Sequence, residues 1–125
     1  MNSVSKDTIK EDIVKKIVIV GLVRGRHEMP VDSYIFDEDV NPMDFNEIDA
    51  RVVSWINQIS EYTTSENDFM FPHYPVGEGV EVVLYVTGLS SALSAVIRWC
   101  AKCHISLMLM HFDRDSGEYK PQLIF

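Results

Sequence analysis

The sequence predicts an α/β fold: one domain, a two-layer sandwich with a mixed sheet of about four to six strands and two main helices. Three observations predict it. Two β-branched runs of strand length, KKIVIVGLV (15–23) and VEVVLYVTG (80–88), suit buried strands. Two stretches, 41–60 and 89–103, carry apolar residues at helical spacing. The order strand, helix, strand, followed by a hairpin, is that of a layered α/β domain.

Residues 1–14 are polar and mixed in charge. They read as a flexible tail, which leaves 15–125 as a single α/β ligand-binding domain. The 15–23 run forms the first strand, with Gly21 and Gly25 bracketing its exit. PVDSYIFD (30–37) suits a short edge strand, since Pro30 cannot donate to a ladder and fits a strand start. NPMDFNEIDARVVSWINQIS (41–60) is the clearest helix. Asn41 can cap it, Pro42 suits its first position, and Asp44 and Glu47 lie where the helix dipole favours acid. Phe45, Ile48, Val52, Trp55 and Ile59 form one apolar stripe, and Trp55 reads as core.

The connection 61–81 contains Phe69, Phe71, His73 and Tyr74. Loops of this length are often functional, and these rings suit a flap over the core or a base. The second buried strand (80–88) leads into a helix over 89–103. Its face is Leu89, Leu93, Val96 or Ile97, and Cys100. ISLMLMHFDR (105–114) alternates as a strand. DSGE (115–118) is a turn, and YKPQLIF (119–125) is a returning strand.

With 125 residues the chain can bury a substantial core. No apolar run reaches the ~18 residues of a transmembrane helix. The first 16 residues lack the apolar core and small-residue cleavage site of a signal peptide. The expected location is therefore cytoplasmic, with no membrane partner. Cys100 and Cys103 form a lone C-x-x-C near the end of a helix. Zinc needs about four ligands, and a redox pair belongs at a helix start, so both read as reduced structural thiols and no metal site is expected. A net charge of −8, from 19 Asp and Glu against 11 Lys and Arg, argues against duplex nucleic acid as a partner.

Positive charge is nevertheless concentrated in VRGRH (23–27), where Arg24, Arg26 and His27 follow the first strand. Arginine forks pair two phosphate oxygens, and in extended chain Arg24 and Arg26 would point the same way. The eight carboxylates from Glu28 to Asp49 are the competing partners. They leave two readings open: neutralised arginines, or arginines kept for a phosphate. TGLSS (87–91) supplies Thr87, Gly88, Ser90 and Ser91 at the start of a helix, a combination suited to a phosphate. Ordinary capping by Ser90 or Ser91 explains the hydroxyls as well. It is neither a Walker A loop nor a G-x-G-x-x-G turn. If both strands run parallel, both loops lie at strand carboxyl ends, where ligands of open α/β sheets bind. His111, Asp113, Arg114 and Asp115 gather at the end of a later strand. They suit acid–base chemistry or a charged hairpin with Arg114 paired to Asp115 or Glu118. No nucleophile motif or metal-ligand spacing is present, so no catalytic residue and no cofactor is expected.

Three blocks, VRGRHEMPVDSYIF, LYVTGLSSAL and ISLMLMHFDRDSGEYKPQ, together resemble a family of phage proteins, the Thoeris anti-defense sponges of the first described type. The resemblance spans most of residues 20–125, and none of the blocks is a stringent motif. It implies an α/β protein of the host-cell cytoplasm that binds cyclic ADP-ribose-type signals without cleaving them. It also implies homo-oligomers with pockets at subunit contacts and, in some members, a second site for cyclic di- or trinucleotides. By position, Arg24 is the candidate for the cyclic-oligonucleotide site. Arg114 and the 87–91 loop are the candidates for the ADP-ribose signal. The 69–74 aromatic residues have no place in the family pattern. The alternative is a small ring-nuclease-like enzyme degrading cyclic oligoadenylate, in which His27 or His111 would act as acid or base.

Overall fold

A computed structural model describes residues 16–26, 28–60 and 79–125. Its elements are β1 (Lys16–Val23), β2 (Tyr34–Phe36), α1 (Phe45–Ile59), β3 (Val80–Tyr85), α2 (Ser90–Lys102), β4 (Ser106–Asp113) and β5 (Glu118–Leu123). The 1–14 tail, His27 and the 69–74 aromatic residues lie outside the described residues. No helix among those described is long and apolar enough to cross a membrane.

The strands form one mixed sheet in the order β2-β1-β3-β4-β5. The first four are parallel, and β5 returns antiparallel to β4. Strand alternation gives the sheet two unlike faces. Val20 and Leu22, Ile35, Val82 and Leu84, and Leu107 and Leu109 are all buried. They join α1 and α2 in one core. Each such side chain contributes roughly 1.5–3 kcal/mol by leaving water.

Helix α1 buries Ile48, Val52, Trp55, Ile56 and Ile59, and α2 buries Ala92, Ala95, Val96 and Cys100. The small alanines let α2 lie close to the sheet. The helices are also tied to each other. Asp49 accepts from Trp99 Nε1 at 3.0 Å and from Arg98 Nη1 at 3.4 Å. Ser91 Oγ donates to the carbonyl of Pro42 at 2.8 Å. Arg51 Nε donates to the carbonyl of Ile35 at 2.7 Å and so ties α1 to the edge strand.

Several local expectations shift. Helix α1 is capped by Asp44, whose carboxylate accepts from the Glu47 N–H, and Asn41 instead accepts from Met43 one turn earlier. Phe45 is exposed and Ile56 takes its place in the stripe, because the helix begins at Phe45, where the face has not yet met the sheet. The edge strand begins at Tyr34 rather than Pro30. On α2, Leu89 is the cap residue and no side chain caps it.

The largest departure concerns β1, which is not buried along its whole length. Ile17 and Ile19 are 60% and 53% exposed. They lie on the face opposite the helices, in register with Glu81 and Val83 of β3. Val83 pairs with Met108, and Met108 with the exposed Leu123. Parallel sheets are usually covered on both faces. Among the described residues no helix covers this one.

Both cysteines are buried and free. Burial, with Cys103 adding to it, pushes the Cys100 thiol from its ordinary 9.0 up to about 12. Burial also pushes the Cys103 thiol up, against a smaller opposing effect of Lys102. Thiolates are the reactive form, so neither thiol should react with a disulfide reagent in the folded protein at pH 7–8, and both should react in denaturant. The raised value also makes stability depend on pH. Stability is fully retained below about pH 9, where both states are protonated. Above it only the unfolded thiol ionises, so Cys100 alone should cost about 1.4 kcal/mol per pH unit up to about pH 12. Replacing Cys100 with Ala should flatten that dependence in denaturant titrations at pH 9 to 11.

Candidate functional site

The strand order sets the position of the site. From β1 the chain moves to β2 on one side, while β3 pairs with β1 on the other. The carboxyl ends of β1 and β3 are therefore adjacent where the order reverses, which is the crevice where open α/β sheets hold ligands. The loop after β1 and the loop after β3 both open there, and the end of β4 adds a third wall. Between them is a cleft of about 810 Å³. Arg26 and Glu28 come from the first loop, Val86, Thr87 and Gly88 from the second, Leu93 from α2, and His111, Phe112 and Arg114 from the end of β4. A hollow on α1, lined by Asp49, Ala50 and Ser54 among others, belongs to a single helix and contains no cation.

The arginines of the first loop separate. Residues 24–26 form a turn, with Gly25 at φ +86°, so the chain is not extended and Arg24 and Arg26 do not point the same way. Arg24 turns toward β2. Its guanidinium lies 4.8 Å from the centre of the Tyr34 ring and its Nε is 3.8 Å from Asp37. Glu38 packs where a Gly25 side chain would be. The two nearest acids are thus spent on residues 24 and 25. Arg26 lines the cleft, and among the described residues it has no ion-pair partner. The two readings of this loop therefore apply to different residues: Arg24 is neutralised and Arg26 is not.

Arg114 also lacks an ion pair among the described residues. Neither of its expected partners, Asp115 or Glu118, forms an ion pair with it. Asp113 pairs with Lys120 at 3.4 Å and accepts from Ser116 Oγ and the Asp115 N–H. His111 Nε2 is 2.7 Å from Gln122 Oε1 rather than bonded to Asp113. Thr87 Oγ1 is buried with no hydrogen-bond partner among the described residues, an arrangement that usually costs about 1–3 kcal/mol.

Of the sequence-predicted site residues, the fold brings Arg26, Thr87, Gly88, His111 and Arg114 to one cleft. It does not bring Arg24, Ser90 or Ser91 there. Ser91 ties α2 to the segment that leads into α1, and Ser90 is exposed at the first position of α2. His27 lies outside the described residues. No group of three or more metal-ligating side chains occurs among the described residues.

Sequence reasoning missed the aromatic wall. Gly21 is in register with Tyr34 on one side and Tyr85 on the other, so both tyrosines share the open face. Tyr85 packs edge-on against Tyr119 at 4.7 Å, and Tyr119 against Phe112 at 5.2 Å. The Tyr119 hydroxyl reaches the Glu28 carbonyl at 3.4 Å. Burial, then Tyr85 and Tyr34, push the Tyr119 phenol above its ordinary value. The alternation of β3 and β4 carried this face, but the alignment of the rings required the strand order. Comparison of the chain with known protein families, with characterised proteins and with solved structures finds no match.

Gly21 holds the wall in place. A β-carbon there would lie 2.6 Å from the Tyr34 ring and 3.1 Å from Met29 Sδ. Met29 is buried and so is not simply displaced into solvent. Gly21→Ala should cost about 1–3 kcal/mol in denaturant titrations, more than a substitution on the exposed surface.

Proposed function

We propose that this protein binds a small cyclic nucleotide signal and holds it without cleaving it. The favoured ligands are cyclic ADP-ribose isomers, with cyclic di- and trinucleotides as a second class. One observation carries the reading: Arg26 and Arg114 line one cleft at the sheet's switch point, and neither has a carboxylate partner among the described residues. Arginine forks are strong anion binders. The cleft's 810 Å³ lies within the roughly 300–1,000 Å³ of small-molecule pockets. Two arginines against Glu28 suit a compact ligand with one or two phosphates. Sequestration needs cations and walls but no nucleophile. The resemblance to the Thoeris anti-defense sponges supports the same reading, as a phage protein acting in the host cytoplasm.

A homo-oligomer belongs to this proposal. The face around Ile17, Ile19, Met108 and Leu123, which no described helix covers, contains Glu81 as its one charged position along β1, β3 and β4. A second copy of an acidic chain can meet it there with little repulsion, and exposed apolar patches mark such contacts.

The competing reading, an enzyme degrading cyclic oligoadenylate, is favoured by the presence of His111 in the cleft. The two differ in what leaves the protein. After incubation with cyclic ADP-ribose isomers and cyclic oligonucleotides, heat denaturation should release the ligand intact. Release of cleaved product would establish the enzyme, and failure to deplete any ligand from solution would overturn both. Arg26→Ala and Arg114→Ala should each weaken cyclic ADP-ribose binding about 10- to 100-fold, the worth of a hydrogen bond to a charged group. Neither should lower the melting temperature, because among the described residues neither arginine has an ion-pair partner to lose. Arg24→Ala, which removes a residue engaged with Tyr34 and Asp37 outside the cleft, should leave cyclic ADP-ribose binding within about twofold. Gel filtration should show an assembly larger than 14.3 kDa.

A further inference from the structure

The cleft straddles the upper edge of the sheet. Successive residues of a strand face opposite sides, yet His111 and Phe112 both line it. On the helix side are Thr87, Gly88, Leu93 and His111. On the open side is Phe112, directly across from Tyr119 in the β4–β5 register. The first side is polar and leads to the uncapped start of α2. The second is aromatic, with Tyr119 packed on Phe112 and Tyr85 packed on Tyr119. Both Arg26 and Arg114 lie along the same cleft.

Phe112 is 46% exposed where it lines the cleft. A ligand consisting of phosphate alone would use the arginines and make no use of the exposed part of that ring. A ligand with an anionic part and a flat aromatic part would use both sides. Glu28 fits the same division, because a carboxylate only accepts hydrogen bonds and so suits the hydroxyls or amines of such a ligand rather than its phosphate.

We infer that Phe112, backed by Tyr119 and Tyr85, is the nucleobase platform of this cleft, and that Arg26 and Arg114 hold the phosphate of the same ligand. The inference rests on the nucleotide-binding reading above and adds what recognises the base. Stacking on an aromatic side chain tolerates any base, because every base has a π-face. Phe112 therefore sets the requirement for a base and not its identity.

The test uses the full chain, four proteins and three probes. Wild type, Phe112→Ala, Phe112→Leu and Phe112→Trp are titrated calorimetrically with cyclic ADP-ribose, with linear ADP and with pyrophosphate. Phe112→Ala and Phe112→Leu should weaken both nucleotides by about 10- to 100-fold and leave pyrophosphate unchanged. Phe112→Trp should retain nucleotide binding. Phe112→Leu keeps apolar bulk, so its unchanged melting temperature separates lost stacking from lost folding. Unchanged nucleotide affinity in Phe112→Ala, or an equal loss for pyrophosphate, would overturn the platform. So would a wild type that binds pyrophosphate but neither nucleotide. A wild type that binds ADP but no cyclic nucleotide, with ADP binding lost in Phe112→Ala, would overturn the sequestration reading and uphold the platform. Binding of none of the three probes by wild type would overturn both.

Discussion

The parallel pairing of β1 with β3 is the constraint on which the rest of this structure depends. It runs from Lys16 opposite Val80 to Gly21 opposite Tyr85 without a break. Because β2 pairs on the other side of β1, this ladder fixes the point where the chain's winding reverses. Everything at the upper edge follows from it. The turn at Gly25 and the loop at Gly88 are far apart in sequence, yet they open side by side because the strands that carry them end together. The helices enforce the ladder from below the sheet. Val82 and Leu84 face the same core as Val20 and Leu22, and a slip of one residue would turn every one of these to the opposite face.

That the described helices cover only one face has a second consequence. A sheet sandwiched between helices would have its upper edge hidden on both sides. Here the cleft can extend around the end of β4, because no described helix covers the face that carries Tyr85, Met110 and Phe112. The same asymmetry exposes Ile17, Ile19 and Leu123 near the opposite edge. The open face is thus divided by height: aliphatic at the amino end of β1 and aromatic at its carboxyl end. Gly21 marks the transition. Lacking a side chain, it lets the Tyr34 ring and Met29 lie across β1, and this draws the first loop over the sheet to within reach of Tyr119.

How much of this was legible depends on the range of the interaction. The strands, the helices and the hairpin follow from residues close in sequence, and Pro30, which cannot donate to a ladder, placed 30–37 at an edge. Arg26, Thr87, Gly88, His111 and Arg114 were legible as isolated polar clusters, because strand ends followed by glycine or charge are local features. What was not legible required partners. Asp44 displaces Asn41 as the cap of α1 because its own carboxylate reaches Glu47, a choice between two good caps that composition cannot rank. Ser91 is diverted to Pro42 by the meeting of two helices. The row Tyr34, Gly21, Tyr85 exists only once β2, β1 and β3 are neighbours. The exposure of Ile17 and Ile19 is the clearest case. A β-branched run reads as a buried strand, and only the absence of a second described layer shows that half of it is not.

The charge distribution around the first loop can be understood in the same terms. A net charge of −8 opposes anion binding at long range, but screening limits each charge to about 8 Å at physiological salt. What matters is which acids reach which arginine. Gly25 takes a conformation that L side chains rarely adopt, and so turns the chain sharply between Arg24 and Arg26. Asp37 and Glu38 follow β2, the strand adjacent to β1, and meet the turn on the Arg24 side. Arg24 is held against Tyr34 and Asp37, while Arg26 passes over to the cleft. Without the turn, both arginines would lie on one side of the strand and compete for the same carboxylates. One glycine thus divides a cluster of positive charge into a structural half and a half available to a ligand.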